Sequence, residues 1–250
     1  GGTYSVKDTP LFDDDITINS GTYSGHKSGN LSIVGSTTLA TNEAINAGIS
    51  HVYNLKYIVT LNLAPGSGGD NVYSTCATII PGQPDSKKGL FNKAELDVTG
   101  DGEPDRKAIA CGDIPIITLV KDYVSVTPQA NGSFDVLYKI TVGNTGGATG
   151  TYSLKDTPLF DDDVVINSGS FSGQASGSMN TSGPTTLATN VNLGAGLSHM
   201  YNVTFNVTLD LNPNSNQGGN NVYTRCAVFG NGPGSGPGQG LFNRAEVDRN

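Results

Sequence analysis

The run Asp97-Val98-Thr99-Gly100-Asp101-Gly102-Glu103-Pro104-Asp105 places side-chain oxygens at Asp97, Thr99, Asp101 and Asp105, with Gly102 at the sixth position. Alternating oxygen ligands around a sharp glycine turn, with the Glu103 carbonyl as a further donor, are what a hard cation such as calcium requires. The twelfth position is Ala108 instead of a bidentate glutamate, which excludes a helix-loop-helix calcium site. Calcium is the expected cofactor here, and a solvated Asp-Gly turn is the alternative. The triplets Asp13–Asp15 and Asp161–Asp163 are secondary calcium candidates. As a carboxylate pair they could suggest glycoside hydrolysis, but neighbours on an extended segment point in alternate directions, and structural repetition explains their double occurrence.

Other chemistry finds little support. The histidines His26, His51 and His199 include one repeated position and lie near no nucleophile motif, and no glycine-rich loop leads from a strand into a helix. An enzyme is therefore not expected. Cys76 lies on a strand-like segment and Cys111 about 14 residues beyond the Ala-Glu-Leu-Asp strand, so an antiparallel return brings them face to face and a Cys76–Cys111 disulfide is expected. Cys226 is the repeat equivalent of Cys76, and the equivalent of Cys111 would fall past residue 250. Asn30, Asn131, Asn180, Asn202 and Asn206 each begin an Asn-x-Ser/Thr sequon. Asn202 and Asn206 fall on the polar face of a strand and are open to glycosylation in a host that performs it.

These residues need elements to position them, and the elements come in two copies. Thr3–Asp13, TYSVKDTPLFD, returns at 151–161 as TYSLKDTPLFD, an offset of 148 residues, and GLFNKAELD at 89–97 returns as GLFNRAEVD at 240–248. A period near 150 is too long for a solenoid and implies that each unit is a domain with its own core. Tyr53, Leu55, Tyr57, Val59, Leu61 and Leu63 alternate with polar residues, as do Tyr201, Val203, Phe205, Val207, Leu209 and Leu211. Phe134, Val136, Tyr138, Ile140 and Val142 alternate likewise, Leu137 being the exception. This period of two marks half-buried strands. With Asn131-Gly132 and Gly/Pro stretches between strands, the pattern predicts an all-β chain of tandem immunoglobulin-like β-sandwiches.

The segment 124–160 carries Tyr138-Lys139-Ile140-Thr141-Val142, then Asn144-Thr145-Gly146, then Asp156-Thr157-Pro158, with Asn243 and Ala245 following in LFNRAEVD. It resembles the conserved-repeat domains found in tandem on bacterial and archaeal surface proteins, across nearly all of 114–250 and, less its first strands, 1–113. The resemblance implies an immunoglobulin-like sandwich in a stalk, fibre or surface layer. The long inserts around the Tyr53 strand depart from shorter members of that family. Lys121 on a first strand and Asn243 on a late one also resemble the pair used by surface-protein domains with Lys–Asn isopeptide crosslinks, although strand lysines and asparagines are common.

Composition bounds the partners. Charged residues are 14% of the chain, glycine contributes 34 residues, tryptophan none, and the formal charge is −8. That balance is typical of extracellular β-proteins, and the lack of a basic run argues against nucleic acid and anionic membrane as partners. No apolar stretch reaches the length of about 20 residues that spans a bilayer, so no membrane insertion is expected within this chain. The expected localisation is extracellular or cell-surface, in a secreted structural protein whose partners are other copies of itself or adjacent repeats. The alternative is an adhesin or carbohydrate-binding module that holds surface glycans near Tyr23, His26 and Lys27, or near Phe171 and Gln174. Domain 1–113 is read as a repeat lacking its N-terminal strands, and 114–250 as one lacking its C-terminal end. The first would then need strands like Ile116–Val126 and Phe134–Val142 from a longer chain or a neighbour.

Overall fold

Strand propensity and period-two burial decide the architecture. The computed structural model describes residues 1–62, 76, 89–211 and 240–249, and every regular element among them is a β-strand. Sheet pairing is antiparallel throughout, so the all-β class is observed. The chain forms two compact units, Gly1–Ile114 with Gly146–Ala148, and Pro115–Thr145 with Thr149–Asn250. Cys226 lies outside the described residues.

The first unit contains β1 (Gly2–Pro10), β2 (Ile16–Gly25), β3 (Gly29–Asn30), β4 (Thr37–Ile45), β5 (Tyr53–Leu61), β6 (Leu90–Asp97) and β7 (Arg106–Gly112). One sheet has the order β4-β1-β6-β7 and the other β3-β2-β5. The second unit contains β8 (Ile117–Pro128), β9 (Phe134–Asn144), β10 (Gly150–Pro158), β11 (Val164–Gly173), β12 (Gly177–Ser178), β13 (Thr185–Leu193), β14 (Ser198–Leu209) and β15 (Asn243–Arg249). Its sheets run β13-β10-β15 and β12-β11-β14-β9-β8.

Equivalent residues pair in the same register. Ser5 faces Asp97 and Pro10 faces Asn92, as Ser153 faces Asp248 and Pro158 faces Asn243. Both copies bulge after the tyrosine of β1 or β10, at Tyr4/Val6 and Tyr152/Leu154. Asn42 and Asn190 sit opposite with φ of 48° and 49°, and each donates its backbone N–H to Ser5 or Ser153 Oγ at 3.1 Å. Asparagine tolerates this left-handed conformation. Gly25 and Gly173 close their strands with φ of 116° and 122°, where an added Cβ would lie 2.2 Å from the carbonyl oxygen of Val52 or Met200. No larger residue fits either position.

The cores differ. In the second unit Val136, Tyr138, Ile140 and Val142 of β9 interlock with Tyr152, Leu154, Leu193, Tyr201, Val203 and Phe205 in one buried cluster. The first unit has smaller islands, Tyr4, Ile16, Leu31, Leu39, Ala40 and Phe91. Among the described residues β5 pairs with β2 and with no other strand, whereas β14 lies between β11 and β9. Tyr53, Leu55, Tyr57 and Val59 are accordingly half-exposed, while their counterparts Tyr201, Val203, Phe205 and Val207 are buried.

Candidate functional site

Among the described residues, one face of the first unit is left uncovered and forms a groove. Tyr4, Val6, Ile45, Ile49, His51, Tyr53, Leu96 and their neighbours line an open volume of about 570 Å³. The residues equivalent to Tyr4, Val6, Ile45 and Tyr53 are Tyr152, Leu154, Leu193 and Tyr201, each fully buried in the second unit. There, β9 pairs with β14 continuously from Gly143 opposite Ser198 to Phe134 opposite Val207. The groove and the open β5 edge therefore mark the place that a β8–β9 hairpin fills in the other copy. An apolar sheet face with unpaired backbone groups is suited to strand addition.

A polar network crosses the same region in both units. The Tyr4 hydroxyl lies 2.7 Å from His51 Nδ1 and 2.7 Å from the Tyr53 hydroxyl. Tyr152 makes the same contacts with His199 and Tyr201 at 2.8 and 2.7 Å. Burial, more than the Tyr201 hydrogen bond, pushes the Tyr152 hydroxyl well above the ordinary phenol value. The first unit adds His26, whose ring stacks on His51 at 3.5 Å and whose Nε2 lies 2.8 Å from Glu43 Oε1. Lys27 pairs with the same carboxylate, and these two contacts, Lys27 first, hold Glu43 below the usual range. Phe171 is buried in the second unit, whereas Gln174 is exposed.

The Asp97 loop is exposed and organised by its own backbone. Asp97 Oδ1 accepts N–H bonds from Gly100 at 2.7 Å and Thr99 at 3.1 Å, and Oδ2 accepts one from Gly102 at 3.0 Å. Asp105 Oδ2 accepts from Val98 at 2.8 Å and Thr99 at 3.1 Å, and Asp101 Oδ1 from Glu103 at 2.9 Å. These donors, that of Gly100 foremost, hold the Asp97 carboxyl below 3.8. The structure thus gathers Asp97, Thr99 and Asp105 around one turn, while Asp101 accepts the Glu103 N–H.

The aspartate triplets are the more enclosed carboxylate clusters. Asp13 and Asp15 are buried and Asp14 is exposed, and Asp161, Asp162 and Asp163 repeat that pattern. In each triplet all three residues can bring a carboxylate oxygen within 4.8 Å of the others. A local turn orients them, with the Asp15 N–H bonded to Asp13 Oδ1 at 3.0 Å and the Ile16 N–H to the Asp13 carbonyl at 3.0 Å. Asp15 is 1% exposed, and neither carboxylate oxygen accepts a hydrogen bond. A buried carboxylate in that state favours a cation beside it. An extended segment would point neighbouring aspartates apart, which places the triplets second to the Asp97 loop in the sequence; the turn at Asp13–Ile16 brings them together instead.

Cys76 and Cys111 form a disulfide with Cα atoms 5.9 Å apart, the expected pairing. The Cys76 N–H donates to Asp113 Oδ1 at 2.8 Å. Asn202 is exposed on β14, but Asn206 is not a free sequon: its Nδ2 donates to Asp135 Oδ1 at 2.7 Å and Ser133 Oγ at 2.9 Å. Among the described residues no helix is long and apolar enough to cross a membrane.

No family model and no curated protein matches the chain. Among solved structures, the chain is similar to a biofilm-associated protein BSP domain at 11% identity and a TM-score of 0.24, covering 90% of this chain and 45% of that one. It is also similar to an exo-chitosanase of Amycolatopsis orientalis in complex with PNP-beta-D-glucosamine at 10% identity and a TM-score of 0.18, covering 81% of this chain and 21% of that one.

Proposed function

We propose that this protein is a structural segment of an extracellular fibre, stalk or surface layer, built from repeated immunoglobulin-like β-sandwiches and joined by strand addition. The observation that carries the reading is the contrast between β5 and β14. The two strands align position for position from Tyr53 with Tyr201, yet among the described residues β14 is sandwiched between neighbours and β5 is an edge above an open apolar groove. The fitting occupant is a β8–β9-type hairpin from another repeat, because that hairpin already meets the same side chains in the second unit. Whether the donor repeat belongs to the same longer chain or to a neighbour, the product is a linear array. The disulfide favours an oxidising compartment. The protein is read as having no enzymatic turnover.

Electron microscopy of the native assembly, with sedimentation velocity of the purified chain, tests this reading. Filaments or a lattice, and association that increases with concentration, are expected. Isolated particles that sediment as monomers at all concentrations would refute it.

Calcium belongs to this reading as a stiffener. Asp97, Thr99, Asp101, Glu103 and Asp105 form one proposed site, and Asp13 with Asp15 forms a second, where the buried charge of Asp15 favours a cation more strongly.

A second reading, an adhesin that binds surface glycans, is favoured by the stacked His26–His51 pair beside Tyr53, which has polar edges and occurs only in the first unit. A glycan array is the test, with binding lost in His26→Ala expected and an array without binding counting against it.

A further inference from the structure

In the second unit, three side chains from three strands meet in the interior. Lys121 of β8 contacts the Asp156 carboxylate of β10, with the lysine side chain 13% exposed and the aspartate fully buried. Asn243 of β15 stands opposite Pro158, two residues along from Asp156, and its carboxamide acts on the Asp156 carboxylate. Both polar atoms of that carboxamide are shut off from solvent and make no hydrogen bond of good geometry. Lys121 and Asn243 line one cavity together with Tyr138, whose ring lies 5.2 Å from Lys121 Nζ. An ion pair this deep gains little over an apolar replacement, and a buried amide held by no hydrogen bond of good geometry is a cost. Folding stability alone does not account for the arrangement.

We infer that Lys121 and Asn243 become joined by an isopeptide bond that forms spontaneously in the folded second unit, with Asp156 as the proton carrier. Burial lowers the lysine's proton affinity against the opposing pull of Asp156, and burial raises that of Asp156 against Lys121 and Asn243. Both directions favour a neutral amine beside a neutral carboxylic acid, which is the nucleophile and the acid that amide exchange needs. The Nζ lone pair attacks Asn243 Cγ, while the Asp156 carboxyl donates to Oδ1. A proton passes from Nζ through Asp156 to Nδ2. The Cγ–Nδ2 bond then breaks, ammonia departs with the bonding electrons, and the carbonyl reforms as the Oδ1 proton returns to Asp156. Nothing is oxidised or reduced, and no external reactant is consumed. The bond would tie β8 to β15, and so one sheet of the unit to the other.

The first unit gives an internal control. Asp8 and Asn92 occupy the equivalent register, but Asp8 takes its hydrogen bonds from the Tyr57 hydroxyl at 2.7 Å and Asn92 Nδ2 at 2.8 Å in place of a lysine. One crosslink per chain is therefore expected.

Intact mass spectrometry of the reduced full chain tests the assignment on wild-type protein, independently of assembly and of whether any variant folds. The expected mass is below the sequence mass by one ammonia, about 17 Da, with proteolysis yielding a branched peptide that joins the Lys121 and Asn243 segments. Lys121→Arg, Asn243→Ala and Asp156→Ala should each show the full mass. A wild-type chain at full mass overturns the inference, as does loss of water, about 18 Da, with the branch at Asp156. Continued ammonia loss in Asp156→Ala removes that residue's role.

Discussion

At the scale of single residues, paired positions in the two units separate burial from chemistry. Tyr152 and Tyr4 make the same hydrogen bonds, but Tyr152 and Tyr201 are fully buried while His51 and Tyr53 are half-exposed. Removing the Tyr152 hydroxyl strands a buried partner, whereas water can replace the Tyr4 hydroxyl. Tyr152→Phe should cost about 1–3 kcal/mol of stability and Tyr4→Phe less than about 1 kcal/mol, measured by denaturant unfolding. The Asp97 carboxyl, held below 3.8 by backbone N–H groups, has a folded value beneath its unfolded one. Its stabilisation is therefore present above 3.8 and lost as pH falls through the folded value. Asp97→Asn should lower the first unit's melting temperature at neutral pH, and the difference from wild type should vanish in strong acid. Calorimetry with a calcium chelator separates the two proposed cation sites. Chelation should lower the melting temperature of the wild type, and Asp15→Asn, which removes a buried charge, should blunt that response. The sequence marks the Asp97 loop by its spacing and Lys121 with Asn243 by resemblance, but it does not mark Asp156 as their partner, because the three meet only after strands distant in the chain have packed. The Cys76–Cys111 pairing was legible, since one antiparallel return sets it.

Among elements, alternation identified β5, β9 and β14 before their neighbours were known, because a side-chain period of two follows from strand geometry itself. Alternation says which residues face inward and nothing about what covers them. Leu55 and Val203 occupy the same position on β5 and β14, yet only Val203 is fully buried. Val203→Asp places an unpaired charge in the core and should unfold the second unit, a loss of several kcal/mol (on the order of 3–5). Leu55→Asp should leave the first unit's circular dichroism intact and abolish self-association in sedimentation. A first unit that unfolds as completely as the second would show that β5 is core and not a docking edge.

For the whole molecule, the proposed strand addition makes the first unit an acceptor and the β8–β9 hairpin the element that completes a sandwich. Hydrogen exchange of the β5 amides, followed across protein concentration and with added peptide 115–145, measures that most directly, because strand addition must protect the free edge. The β5 amides should exchange faster than those of β14 in dilute protein and slow towards the β14 rate as hairpin or concentration increases. The same exchange rate on β5 at every concentration, unchanged by the peptide, would contradict the account.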